Sequence, residues 1–315
     1  MTAVRPFVRP RALRLGDRVA LMTLASPCRP EDVEAGADQL RTLGFEPVVI
    51  APVDGGSSPP YLAGAAAARA GQLHDALADP GIAAVIATRG GYGSAHLLPF
   101  LDWAEIRAAR TLLIGYSDIT ALLDAFAGLA GLVSVHGPMA EGRLAGGVDA
   151  FDPDSFLRIV SEPVPFGRVA APHAHTLQPG EASGVLRGGT LTQLAAVLGT
   201  PWAHVSAEAT ILFLDEVNER PYRVDRLLWQ LRAAGVFDTV SGVVLNELPG
   251  CDEPGGSVTA LDAVRHALAG FHGPIVAGVP SGHTAGAMIT LPIGVRVSLR
   301  AGTEVSFSID EPAVA

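Results

Sequence analysis

The chain has 315 residues, 49% of them hydrophobic and 17% charged, with 32 acidic against 22 basic side chains and a formal net charge of −10. That is apolar mass for one large or two ordinary domains, and the acidic balance without a basic patch argues against nucleic acid or an anionic membrane as partner. Every basic side chain is arginine, which excludes a P-loop lysine, a pyridoxal Schiff base, a Ser–Lys dyad and a kinase-type lysine.

In chain order, the first 21 residues carry positive charge but no apolar h-region, so they do not read as a secretory signal. The longest apolar stretches run roughly ten residues against the ~20 a membrane helix needs, so the expectation is a cytoplasmic protein. Residues 19–23, 47–50, 82–87, 112–114 and 132–135 read as short buried-type strands. They alternate with helical stretches at 31–44, 65–78 and 119–129, a βαβ pattern that predicts a parallel sheet. Residues 162–183 hold four prolines and little periodicity and are expected to link two domains, 1–161 and 184–315. Beyond them, strands are expected at 184–187, 210–214 and 243–245, and helices at 191–198, 222–234 and 261–268. In the helix at 222–234, Val224, Leu227, Leu228 and Leu231 fall at i, i+3, i+4 and i+7. The tail alternates at Val295, Val297 and Leu299 and at Val305, Phe307 and Ile309, as strands with one buried face do. The predicted fold class is α/β: a Rossmann-like parallel-sheet domain followed by a smaller α/β domain with partly antiparallel strands.

Chemistry concentrates at a few points. Ser117 lies where a buried strand runs into a helix start, in LLIGYSDIT. Such a turn exposes a serine Oγ beside unpaired helix N–H groups; the competing reading is a helix N-cap. The loop Arg89-Gly90-Gly91-Tyr92-Gly93 follows a strand, where parallel sheets place ligands. It reads as a phosphate cradle, as an oxyanion hole beside Ser117 or as a tight turn, and spacing does not rank these. A hydrolytic serine needs a base and an acid. His283, in a Gly/Ser loop, and His136, at a strand end, are candidate bases; Asp215 and Glu216 follow an apolar strand. His173 and His175 form an H-x-H without enough further ligands for a metal site, and Cys28 and Cys251 are too few for a disulfide framework or a cysteine zinc site.

Several blocks in order resemble the LD-carboxypeptidase family of serine peptidases, the murein tetrapeptide carboxypeptidases and related microcin C self-immunity hydrolases. They are ASP at 25–27, YLAG at 61–64, ATRGGYGSAHLLPFLD at 87–102, IGYSDIT at 114–120, HGPM at 136–139, GGTLTQLAAVLGTPW at 188–202, ERPYRVDRLLWQLRAAG at 219–235 and PSGH at 280–283. The resemblance implies Ser117 as nucleophile, His283 as general base, and an acid at Asp215, with Glu216 open because the family's Glu-Asp order is reversed here. It implies oxyanion N–H groups from Asp118 and from Gly90 or Gly91. Substrate contacts would come from Tyr92 and from Arg89, Arg223 or Arg232, since an arginine suits a free carboxylate. Thr190 departs from the family's usual Asn. The implied reaction is release of terminal D-Ala from murein tetrapeptide by a cytoplasmic homodimer, with no cofactor and no metal. Two alternatives stand beside it: a same-family hydrolase of another acyl-amino-acid or aminoacyl-nucleotide amide, and a non-catalytic Rossmann-like binding module.

Overall fold

Every residue of β3 (Ile82–Ala87) is buried, as a central parallel strand covered on both faces must be. The structure, a computed structural model, describes residues 6–53, 56, 58–204 and 206–315. Around β3 lie β1 (Arg18–Met22), β2 (Glu46–Val49), β4 (Leu112–Gly115) and β5 (Ser134–His136), all parallel, in the order β2-β1-β3-β4-β5. This is a doubly wound order, and it reverses between β1 and β3. Ligands bind in such sheets at the carboxyl ends beside that switch point. Helices α1 (Pro30–Thr42), α2 (Ala66–Ala78), α3 (Trp103–Ala109) and α4 (Thr120–Ala125) connect the strands. Pro30 starts α1 where a missing N–H costs nothing, and Asp102 caps α3 by accepting from the N–H groups of Ala104 and Glu105. The helix expected over 119–129 is broken: α4 gives way to a π turn at Phe126–Ala130.

The second sheet has eight strands, ordered β6-β14-β13-β8-β9-β10-β11-β7. Its parallel centre is β8 (Gly180–Thr190), β9 (Thr210–Asp215), β10 (Val240–Leu245) and β11 (Ile275–Ala277). Antiparallel flanks come from β6 (Gly167–Arg168), β7 (His175–Gln178), β13 (Arg296–Ala301) and β14 (Ser306–Ile309). The Rossmann-like and mixed α/β expectation thus holds. The linker reading of 162–183 does not: Pro172 and Pro179 sit between strands, and β6, β7 and the start of β8 all belong to the second sheet. Nor does the chain stay on one side of a boundary. Strand β12 (Leu291–Ile293) returns to the first sheet and pairs antiparallel with β5, Leu291 opposite His136.

That return strand welds the two sheets. One apolar cluster runs from Ile114 and Val135 of the first sheet through Met288 and Leu291 to Leu186 and Phe213 of the second. Each such buried side chain contributes about 1.5–3 kcal/mol. Across the same boundary, α4 offers buried Asp124 to Arg187 of β8, whose Nη2 lies 2.9 Å from Oδ1, and to His204, whose Nδ1 lies 2.9 Å from the same oxygen. Burial alone would raise the Asp124 carboxyl, but the charges of Arg187 and His204 outweigh it and hold it far below the usual carboxylate range. The remaining helices, α5 (Pro153–Ser161), α6 (Leu191–Ala196), α7 (Pro221–Ala233) and α8 (Ala260–Ala267), pack the outside. Among the described residues no helix is long and apolar enough to cross a membrane.

Candidate active site

Ser117 has φ +61° and is half-buried, directly after β4. A non-glycine residue held in the left-handed region costs of order 1 kcal/mol or more and clusters at functional turns. Its side chain caps neither the short turn it opens nor α4, so the N-cap reading fails. Gly90 lies against it: a Cβ there would stand 3.2 Å from the Ser117 hydroxyl and 3.3 Å from the Asp118 nitrogen. Only glycine therefore leaves a space bounded by both. Gly91, at φ +98°, would drive a Cβ into Ser26. Ser26 Oγ accepts from the Tyr92 N–H at 3.0 Å, which fixes this loop at the switch point.

The other half arises on the second sheet. Asp215 ends β9, fully buried, and its carboxylate is saturated. Oδ2 accepts from His283 Nδ1 at 2.8 Å and from Thr190 Oγ1 at 3.0 Å. Oδ1 accepts from the His283 N–H at 2.9 Å and from Asn246 Nδ2 at 2.5 Å. Burial pushes this carboxyl up, yet the hydrogen bond and charge of His283 win and keep it below its ordinary value. Gly282, at φ +74°, makes the approach possible, since a Cβ there would lie 2.5 Å from the Asp215 carboxyl carbon. The Tyr116 ring meets His283 edge-on at a centroid distance of 5.2 Å, bringing the imidazole beside the Ser117 turn. The two halves are joined by Thr190, whose N–H donates to Thr120 Oγ1 at 3.0 Å while its own hydroxyl donates to Asp215.

This arrangement has the parts of acyl-transfer chemistry: a strained serine, an imidazole oriented by a buried carboxylate, and the Asp118 N–H beside the space that Gly90 leaves open. Residues 19–137 match the LD-carboxypeptidase N-terminal domain and residues 183–299 the LD-carboxypeptidase C-terminal domain. The chain belongs to the LD-carboxypeptidase family. A Streptomyces coelicolor protein, whose name gives carboxypeptidase provisionally, is 41% identical over 99% of both chains. The murein tetrapeptide carboxypeptidase of Pseudomonas aeruginosa is 33% identical over 85% of this chain and 88% of its own. Among solved structures, the microcin C7 self-immunity protein MccF in an inactive mutant apo state superposes with a TM-score of 0.86 at 25% identity, covering 98% of this chain and 99% of that one.

Within this family member, the remaining candidates separate cleanly. Glu216 does not reach His283. It accepts from the N–H and hydroxyl of Thr192 at 2.9 and 2.7 Å and from the Val217 N–H, and burial raises its carboxyl. His136 is fully buried with Nδ1 on Ser281 Oγ at 3.2 Å and, among the described residues, no partner on Nε2; burial pushes it down to about 4. His173 and His175 are exposed, with His175 Nδ1 on the His173 carbonyl. Both thiols are pushed up to about 11 by burial, against a role as nucleophile.

Of the arginines, Arg89 stands at the end of β3, with Nε 3.0 Å from Glu141. Arg223 pairs with Glu219 one turn before it. Arg232 is a correction: it lies in the last turn of α7, about 16 Å along the helix from Pro221, and donates to the Ala267 and Ala269 carbonyls at the end of α8. Its guanidinium closes a helix end rather than facing the site. Tyr92 is exposed, edge-on to Tyr61 at 5.8 Å. Asn246 and Gly282 escaped the sequence reading. The available signal for Asn246 was a polar residue directly after the apolar run Val243–Leu245, at the same sheet end as Asp215.

Proposed function

We propose that this protein is a serine LD-carboxypeptidase that releases terminal D-Ala from murein tetrapeptide through an acyl-enzyme, with Ser117 as nucleophile, His283 as general base and Asp215 as the orienting acid. The observation that carries the assignment is the buried Asp215–His283 pair at 2.8 Å beside a serine held at φ +61°. Asp215 fixes the imidazole with its proton on Nδ1, leaving Nε2 to accept the Ser117 proton. The Ser117 oxygen attacks the carbonyl of the L,D-peptide bond. The tetrahedral oxyanion enters the space that Gly90 leaves open and accepts from the N–H of Asp118 and of Gly90 or Gly91. His283 then protonates the leaving D-Ala nitrogen, and water, deprotonated by the same imidazole, cleaves the acyl-enzyme.

A substrate with a free terminal carboxylate needs a cation. Arg89 is the candidate we favour, because it shares the switch-point loop with Gly90, while Arg232 is spent on a helix end. The tetrapeptide reading is supported by the murein carboxypeptidase among the relatives. The likeness to a microcin self-immunity protein supports a second reading, hydrolysis of another acyl-amino-acid amide at the same three residues. The proposal includes a cytoplasmic location and a homodimer, the latter read directly by light scattering.

The test is D-Ala release from L-Ala-γ-D-Glu-meso-diaminopimelate-D-Ala by wild type and Ser117→Ala. Release by wild type, reduced about 10⁴-fold or more in the variant, is the expected result. Equal release by both overturns the assignment of Ser117. No release by wild type overturns the tetrapeptide and moves the search to other amides.

A further inference from the structure

Arg143 makes an unusual set of contacts. It follows β5 in a kinked segment, Ala140–Leu144, in which Gly142 takes φ +80° and turns the chain toward the second domain. From there Nη2 donates to the Gly282 carbonyl at 2.9 Å and to the Thr284 carbonyl at 2.8 Å. Nη1 donates to the carbonyls of Gly286 and Ala150, each at 3.0 Å. Gly282 and Thr284 are the two neighbours of His283. One guanidinium from the first domain thus grips the backbone on both sides of an imidazole carried by the second.

The same segment reaches the serine side. The Glu141 N–H donates to the Thr88 carbonyl at 2.8 Å, and its carboxylate takes Arg89 Nε at 3.0 Å, at the mouth of the Gly90 loop. On its opposite side, the His283 loop is held by the second domain. Asn246 Nδ2 donates to the His283 carbonyl at 2.7 Å, and Glu247 accepts from the Thr284 hydroxyl and from the Ala285 N–H. The loop therefore has two holders, one on each side of the interface. A planar fork with five N–H donors suits four carbonyls in a way that a lysine, with three donors on a flexible stem, does not.

We propose that Arg143 is a positioning residue for the general base: it sets His283 against Ser117 from across the domain boundary by gripping the backbone on both sides of the imidazole. The proposal rests on the Ser117–His283 reading above. Arg143 touches four main-chain carbonyls and the side chain of Tyr116, none of them a reacting group, so its loss displaces the imidazole without removing one. A shift near 1 Å in such a group costs about 100-fold.

The experiment compares Arg143→Met, Arg143→Lys and His283→Gln with wild type in the full chain. It measures kcat and KM for D-Ala release, the rate of Ser117 labelling by a fluorophosphonate, the low-field NMR proton of His283 Nδ1, and the thermal midpoint. Arg143→Met is expected to lose about 100-fold in kcat and in labelling with KM within about threefold, and to lose or broaden the low-field proton. Arg143→Lys is expected to recover only in part, to a kcat about tenfold below wild type, since it restores part of the donor set. A folded Arg143→Met with wild-type labelling and an unchanged low-field proton overturns the proposal. If the Met variant does not fold, the Lys variant decides, and wild-type kcat in it overturns the proposal equally. Labelling that survives in His283→Gln shows instead that the base assignment itself has failed.

Discussion

The turn that carries Ser117 and the loop that carries His283 are built by opposite means. The serine is placed locally: a buried strand ends, one residue takes φ +61°, and a short turn follows, all within 112–119. Its neighbour Gly90 comes from the loop that follows the adjacent strand of the same sheet. The histidine has no such local frame. It depends on Asp215, 68 positions earlier in the chain, on Asn246, and on Arg143 from the other domain. Local strain sets the first group, and long-range hydrogen bonding sets the second. Substitutions far from the chemistry should therefore harm the base more readily than the nucleophile.

That contrast fixes the order of expected effects. Outside the three reacting residues, Gly282→Ala should cost the most activity. It forces a Cβ to 2.5 Å from the Asp215 carboxyl carbon at a backbone φ of +74°, so the pair must separate. Activity should fall by about 10³-fold or more, with a stability loss of about 2–3 kcal/mol, read by kcat and thermal melting. Activity within tenfold would break the idea that close packing sets the pair.

Arg187→Met tests the boundary itself. It leaves Asp124 buried with only His204 beside it, and breaking a buried pair in this way costs about 3–5 kcal/mol. Urea unfolding should show that loss, while Ser117 labelling of the folded variant falls far less than in Gly282→Ala. A larger loss of labelling than in Gly282→Ala would mean that the domain boundary, not the His283 loop, dominates alignment.

His136→Gln should have the smallest effect and a distinct pH signature. Its folded pKa of about 4 lies below the ordinary histidine value near 6.5, so the unfolded chain binds the extra proton first. The stability tied to neutral His136 is full above about pH 6.5 and is lost as the pH falls toward about 4. Between pH 7 and 4.5 wild type should lose about 2–3 kcal/mol more than the variant, by urea unfolding at the two pH values. The Asp215 contribution acts in a lower window. Its carboxyl is depressed, so its stabilisation is present above the ordinary aspartate value near 3.9 and is lost as the pH falls through the folded value. Parallel losses in wild type and variant would contradict a buried neutral His136.

The sequence made the serine half legible because its determinants are adjacent in the chain. A buried run, a glycine, a serine and a second glycine loop at a neighbouring strand end announce a parallel-sheet ligand site. The second half was legible only in part. Asp215 and Glu216 are neighbours in the same motif, and only the sheet's pleat decides which faces the histidine: Asp215 points across to His283 while Glu216 turns to Thr192. The proline-rich stretch 162–183 concealed β6 and β7, because short edge strands lack a periodic signature, and with them the start of β8. The return of β12 to the first sheet, and the reach of Arg143, depend on tertiary pairing that no local pattern encodes.

The most direct test of the account is the rate of Ser117 labelling by a fluorophosphonate in Asp215→Asn and Glu216→Gln, side by side with wild type. The account predicts a loss of about 10³–10⁴-fold for Asp215→Asn, whose amide favours the wrong imidazole tautomer, and a rate within about threefold for Glu216→Gln. A wild-type rate in Asp215→Asn, or a greater loss in Glu216→Gln, would contradict it.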